Sequence, residues 1–79
     1  MRKILIAEDD ALLNRTLGYN LISDGYDVTS ACNYREAVRA LKEHEFDIAF
    51  LDIHLPDGSG LELCEEIRGR GQHTYIIFI

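Results

Sequence analysis

The chain has 79 residues, enough for one domain at most, and its 14 acidic and 8 basic residues give a net charge of −6. This acidic balance argues against direct nucleic-acid binding by these residues, because such binding needs a basic face. The sequence shows no signal peptide and no apolar run near the roughly 20 residues of a membrane span, so we expect a cytoplasmic protein without a membrane contact.

The first predicted elements are a strand and a helix. The apolar residues 4–7 predict a strand that is buried on both faces. Acidic residues follow it, and Asp9 or Asp10 is the expected N-cap of the helix. Leucines spaced four apart predict the apolar face of this helix: Leu13, Leu17 and Leu21. Gly25 is expected to end it.

The next two elements repeat this order. Residues 26–31 alternate and are rich in strand-forming side chains, which predicts a more exposed strand near an edge of the sheet. Asn33 lies three residues before Glu36, a spacing typical of a capping box at the start of a helix. The second helix is expected to end near His44.

The third strand is predicted at residues 47–51, and it ends directly before Asp52. A turn rich in Pro and Gly follows. The third helix is expected from about Gly60 to Arg68, with three inward side chains: Leu61, Cys64 and Ile67. Residues 69–71 break this helix, and residues 75–79 predict a fourth strand. Strands that alternate with helices at this spacing predict right-handed βαβ units, a parallel sheet and helices on both of its faces.

Acidic side chains follow two of the predicted strands. Glu8 and Asp9 come after the first strand and Asp52 comes after the third. If these strands are neighbours in a parallel sheet, the three carboxylates converge at one edge, where their repulsion favours a hard divalent cation such as Mg²⁺. A carboxylate beside such a cation can act as a nucleophile toward phosphorus. The alternative is that the acids at the first junction only cap a helix.

The two segments ILIAEDD (4–10) and LDIHLPDGSG (51–60) together resemble the receiver domain of bacterial response regulators, most closely the branch that carries a winged-helix DNA-binding domain. The resemblance covers all 79 residues. It implies a flavodoxin-like (CheY-like) α/β fold with strand order 2-1-3-4-5. It also implies a phosphoacceptor domain of a two-component system that controls an output such as transcription, and not an enzyme beyond self-catalysed phosphotransfer and dephosphorylation.

The resemblance also implies roles for individual residues. Asp52 matches the aspartate that accepts a phosphoryl group from a sensor histidine kinase. Asp9 matches a direct Mg²⁺ ligand, Glu8 its acidic neighbour, and the backbone carbonyl of His54 a further metal ligand. Asp10 is expected to cap the first helix. His54 stands where the family usually has an apolar residue, a change that a carbonyl ligand tolerates.

The chain departs from the family pattern after its fourth strand. A receiver has about 120 residues in that pattern, so residues 1–79 are expected to form the N-terminal two thirds, strands 1–4 and helices 1–3, of a C-terminally truncated domain. The family's switch Thr or Ser and its Lys are absent, which leaves a non-phosphorylated interaction module as the alternative. A Mg²⁺-dependent phosphatase is the least favoured of the three functions, because such enzymes usually have a second acid two residues after the nucleophile, and this chain has His54 there. An exposed fourth strand also predicts a homodimer or swapped oligomer through its edge.

Overall fold

The computed structural model describes residues 1–79 and contains three helices and six strands. The helices are α1 (Ala11–Ser23), α2 (Tyr34–Glu43) and α3 (Gly60–Gly69). The strands are β1 (Lys3–Ala7), β2 (Asp27–Ala31), β3 (Ile48–Leu51), β4 (His54–Leu55), β5 (Gly58–Ser59) and β6 (Tyr75–Phe78). The four predicted strands are present, whereas the short pair β4 and β5 was not predicted.

Four of the strands form one parallel sheet in the order β2-β1-β3-β6. The sequence-based fold class is therefore confirmed, including the neighbouring positions of the first and third predicted strands. β2 lies at one edge of the sheet, as its alternating sequence predicted, and β6 lies at the other. β4 and β5 pair antiparallel in a separate hairpin within the turn that follows β3.

Helices cover both faces of the sheet, and alternate residues of β1 point to opposite faces. Leu5 and Ala7 belong to the main apolar core, which they share with residues of α2 and α3. Ile4 and Ile6 are also buried, on the face that carries α1. Burial of a large apolar side chain stabilises a fold by about 2 kcal/mol, so β1 contributes to both layers.

The face of α1 that meets the sheet differs from the predicted one. Asn14 and Gly18 are buried, whereas Leu13 is 46% exposed and Leu17 and Leu21 are only half-buried. The leucine spacing predicted the helix correctly but not its buried face, which lies along Asn14 and Gly18 and not along the leucines. Gly18 faces Ile6 with room for a methyl group, and Asn14 is buried because its side chain has hydrogen-bond partners there.

The inner face of α3 also needs a correction. Leu61 was predicted to point inward but is 54% exposed, while Leu63 is fully buried and was not predicted to be. Gly60, Leu63 and Ile67 form the buried stripe, and Cys64 is half-buried beside it. These positions follow the three- and four-residue spacing of a helix face, and Leu61 lies outside it.

The helix caps largely follow the sequence signals. The Asp10 carboxylate accepts the N–H groups of Leu12 and Leu13 at 3.0 and 3.1 Å, so Asp10 and not Asp9 caps α1. Gly25 has a positive φ of 94° just beyond α1, as expected of a terminating glycine. No helix is both long and apolar enough to cross a lipid bilayer.

Replacing Gly18 with Ala should stabilise the chain by about 0.5–1 kcal/mol, the usual gain for this change inside a helix. A Cβ at this position would meet Ile6 and Ser30 at ordinary contact distances of 3.7 and 3.8 Å. The measurement is urea unfolding followed by circular dichroism. Gly60→Ala is the opposite control, because its Cβ would overlap the backbone of Asp52. A destabilised Gly18→Ala variant would contradict the described packing of α1.

Candidate functional site

Asp52 is held at the carboxyl end of β3 by the backbone of the neighbouring strand. Its N–H donates to the carbonyl of Ala7, the last residue of β1, at 2.9 Å. This bond continues the β1–β3 ladder one residue beyond the end of β3, after the last pair, Ala7 with Leu51. Asp52 therefore lies beside the residues that follow β1, at the edge where open α/β sheets usually bind ligands.

Glu8 is held in place from the other side of β1. Its N–H donates to the Ala31 carbonyl at the end of β2, at 3.0 Å. The buried Asn14 amide of α1 donates to the carbonyls of both Glu8 and Ala31, at 2.9 and 3.0 Å. Helix α1 and the ends of β1 and β2 thus fix the position of the backbone at Glu8, directly before Asp9.

The structure brings the three predicted acids together. Glu8, Asp9 and Asp52 each offer a carboxylate oxygen, and these oxygens all lie within 4.8 Å of one another. Glu8 is buried, Asp52 is half-buried and Asp9 is exposed, so the cluster opens to solvent on one side. Asp10 lies outside it, because its carboxylate is used to cap α1.

Electrostatic repulsion within the cluster affects the protonation of Glu8. Burial raises the pKa of Glu8 above the ordinary glutamate value, and the neighbouring carboxyl groups of Asp52 and Asp9 raise it further. The N–H of Asp10 donates to Glu8 Oε2 at 3.0 Å and lowers this pKa, but it does not reverse the shift. A hard divalent cation bound between three carboxylates would relieve the repulsion, and the donor set fits Mg²⁺.

His54 lies beside the cluster through its backbone. Its N–H donates to Asp52 Oδ1 at 3.2 Å, while its side chain is exposed. Its carbonyl as a metal ligand stays a prediction.

The segment after Asp52 packs tightly against the site. Gly60, the first residue of α3, leaves no room for a Cβ, which would overlap the carbonyl oxygen of Asp52. The Gly60 N–H donates to the Ile53 carbonyl at 3.0 Å. A glycine is therefore required for α3 to begin this close to Asp52.

Two residues with a structural role at this site were missed by the sequence analysis. Asn14 could have been noticed as a polar residue four positions before Gly18 on one helix face. Asp57 accepts the N–H groups of Tyr34 and Arg35, at 2.6 and 3.0 Å, at the start of α2. Nothing in the local sequence indicates this contact, because its partners lie more than 20 residues earlier.

A comparison with known families decides the assignment. The model of the response regulator receiver domain matches residues 4–79, nearly the whole chain. The chain belongs to the response regulator receiver domain family. The acid cluster of this receiver chain lies at the ends of β1 and β3, where the sequence resemblance predicted it.

Solved structures agree with this assignment. The response regulator TrrA from Thermotoga maritima, in complex with Mg²⁺-BeF, is 33% identical with a TM-score of 0.89 over 99% of this chain and 68% of its own. The chemotaxis response regulator CheY4 of Vibrio cholerae is 28% identical with a TM-score of 0.93, over 99% and 67%.

A third similar structure, a response regulator from Burkholderia pseudomallei, contains a phosphorylated aspartic acid, a calcium ion and citrate. It is 28% identical with a TM-score of 0.91, over 99% of this chain and 46% of its own. The receiver chain thus spans about two thirds, or less, of the structures it matches.

Asp52→Asn should stabilise the metal-free chain at pH 7 by about 1 kcal/mol, the Coulomb energy of one pair of like charges at this distance in a water-like medium. The gain should shrink as the pH falls through the raised pKa of Glu8, because a protonated Glu8 no longer repels Asp52. A carboxyl with a raised folded-state pKa, such as Glu8, contributes most to stability at low pH, and this contribution is lost as the pH rises through that pKa. The measurement is urea unfolding in EDTA across this range.

Glu45→Gln serves as the matched control, because it removes one exposed negative charge that lies before β3, whereas the cluster lies beyond the other end of this strand. It should change the unfolding free energy by much less than Asp52→Asn at pH 7. Equal effects of the two variants would mean that the three carboxylates do not repel one another as described.

Proposed function

We propose that this chain is the receiver portion of a response regulator, with Asp52 as the residue that accepts a phosphoryl group from a sensor histidine kinase. The observation that carries the proposal is the convergence of Glu8, Asp9 and Asp52 within 4.8 Å at the end of the sheet. The burial of the cluster also supports it, since Asp52 is only half-buried and its neighbour Asp9 is exposed, which leaves the cluster accessible to a phosphodonor.

In the proposed reaction, a carboxylate oxygen of Asp52 attacks the phosphorus of a phosphohistidine. A P–O bond forms as the P–N bond breaks, and the imidazole of the donor leaves and takes up a proton. A Mg²⁺ ion, when bound, neutralises charge on the phosphoryl oxygens during the transfer. The chain supplies the acceptor Asp52 and the acidic residues around it. It therefore acts as a switch and not as an enzyme that turns over other molecules.

The residues proposed to hold Mg²⁺ are the side chains of Glu8, Asp9 and Asp52 and the backbone carbonyl of His54. Asp9 and Asp52 serve as direct ligands, and Glu8 acts through water. The hydrogen bonds around Glu8 support this division. Its Oε2 already accepts the Asp10 N–H, and burial holds its side chain against the strand ends.

We further propose that the receiver belongs to a cytoplasmic transcription regulator of the winged-helix branch. The resemblance of the sequence around Asp52 to that branch supports this proposal. The net charge of −6 supports the view that residues 1–79 do not themselves contact nucleic acid.

Mg²⁺ should raise the melting temperature of the wild-type chain, because a ligand that binds only the folded state stabilises it by mass action, by about 2.7 kcal/mol at 100 times the dissociation constant. Asp9→Asn and Asp52→Asn should lose most of this response. The measurement is thermal unfolding over a Mg²⁺ titration, with Glu45→Gln as the variant expected to respond like wild type. An equal response of all four proteins would contradict the site.

Beryllofluoride with Mg²⁺ tests the acceptor itself, and it should bind wild type and not Asp52→Asn. Incubation with acetyl phosphate and Mg²⁺ should add the mass of one phosphoryl group, removable by hydroxylamine, to wild type alone. Intact-mass spectrometry detects it. An unmodified wild-type chain that still binds Mg²⁺ would favour the non-phosphorylated interaction module over the phosphoacceptor.

We also propose that two copies of the chain associate through β6. This strand pairs only with β3, so its other side presents unpaired backbone groups. Three exposed apolar residues lie on it or directly after it: Tyr75, Phe78 and Ile79. Such an edge favours pairing with another strand. No basic or acidic residue lies on β6 to oppose it.

The mass of the wild-type chain in solution should therefore rise with concentration, as measured by multi-angle light scattering. Phe78→Lys places a charge on the edge and should keep the chain monomeric. Tyr19→Lys, which makes the same kind of change on exposed α1, should associate like wild type. A wild-type chain that stays monomeric at high concentration would contradict association through β6.

A further inference from the structure

The segment between Asp52 and α3, residues 52–60, is attached to the start of α2. The carboxylate of Asp57 accepts the Tyr34 N–H at 2.6 Å through Oδ1 and the Arg35 N–H at 3.0 Å through Oδ2. These are the only hydrogen bonds that join residues 52–60 to α2. One side chain thus makes the whole polar connection between the site segment and this helix.

Close packing accompanies these hydrogen bonds. A Cβ at Gly58 would come within 2.6–2.9 Å of the Tyr34 side chain, so the hairpin lies directly against the first residue of α2. The two N–H donors also change the pKa of Asp57. Desolvation raises the pKa of Asp57, but the N–H groups of Tyr34 and Arg35 outweigh it, and the pKa lies below the ordinary aspartate value. The side chain is therefore held as a carboxylate, which is the stronger acceptor.

The other end of this segment is part of the site. The His54 N–H donates to Asp52 Oδ1, and Gly60 packs on the Asp52 carbonyl. Residues 52–60 are thus fixed at Asp52, at Asp57 and at the start of α3. Without Asp57, the middle of the segment would keep the short β4–β5 pairing and the packing of Leu55 and Gly58, but no hydrogen bond to α2.

Helix α2 already has a cap of its own. Asn33 Oδ1 accepts the Glu36 N–H at 2.8 Å, and the Asn33 carbonyl accepts the Ala37 N–H at 3.2 Å. Asn33 and Asp57 thus share the free N–H groups of the first turn of α2. They differ in one respect, because Asp57 comes from the site segment and Asn33 does not. This difference separates a positioning role from simple capping.

We propose that Asp57 is a positioning residue that holds the segment 52–60 in the geometry required at Asp52 and couples the occupancy of the site to the first turn of α2. The ligand part of this inference rests on the proposed function. Ordering of the site by an ion or a phosphoryl group then tightens the bonds from Tyr34 and Arg35 to Asp57. Loss of these bonds loosens the backbone around His54.

The test compares Asp57→Ala with Asn33→Ala, because both remove a cap from the same helix and only the first releases the site segment. Both variants should lose similar thermal stability. In metal-free protein, hydrogen exchange of the amides of residues 53–58 should be faster in Asp57→Ala than in Asn33→Ala. The Mg²⁺ dissociation constant should rise about tenfold in Asp57→Ala, as for other residues that orient metal ligands, and stay within about twofold in Asn33→Ala. Asp57→Asn, which keeps one acceptor oxygen, should recover part of the affinity.

Coupling has a separate readout. Mg²⁺ with beryllofluoride should slow hydrogen exchange of the Tyr34 and Arg35 amides in wild type and in Asn33→Ala, but not in Asp57→Ala. Wild-type Mg²⁺ affinity in Asp57→Ala, or equal exchange of residues 53–58 in the two alanine variants, would overturn the inference. Failure of wild type itself to bind Mg²⁺ would instead overturn the proposed function and the coupling, and the metal-free exchange would still decide the positioning role.

Discussion

The parallel pairing of β1 with β3 is the constraint on which the rest of this structure depends. With Ala7 opposite Leu51, the next residue of each chain segment is an acid, and the two acids leave the sheet side by side. The same pairing buries β1 between two helical layers and so supplies much of the core. Stability and the crowding of negative charge therefore have one origin, and neither can be changed by shifting the strands without losing the other.

The fold holds this crowded charge by means of backbone contacts. Hydrogen bonds from the Asn14 side chain and to the Ala31 carbonyl fix the backbone around Glu8. A hydrogen bond to the Ala7 carbonyl fixes the backbone of Asp52. None of these contacts neutralises a carboxylate. The carboxylates are thus kept near one another although they repel. Such an arrangement costs stability in the empty protein and favours a bound cation, which is the physical basis of the proposed receiver function.

Buried apolar runs and alternating elements predicted the strands and the parallel sheet well, because they leave few possible topologies. The strand order, on which the meeting of the three acids depends, came from the resemblance to receiver domains. The sequence predicted the helix faces less well. The leucine spacing in α1 suggested Leu13 as an inner residue, yet Asn14 lies inward, where its amide donates to the carbonyls of Glu8 and Ala31. Leu61 was misplaced because a single apolar residue can lie next to the buried stripe without belonging to it. The contact of Asp57 with α2 could not be predicted, since it depends on how two distant segments approach in space.

Gly60 limits the directions in which α3 can move. No side chain separates the start of this helix from the Asp52 carbonyl, and its N–H is bound to the Ile53 carbonyl. A displacement of α3 toward β3 would press the Gly60 backbone onto the Asp52 carbonyl, where there is no room even for a Cβ. A displacement outward would break the hydrogen bond to Ile53 and lose the packing of Leu63 and Ile67. The start of α3 is therefore expected to move away from Asp52 more easily than toward it.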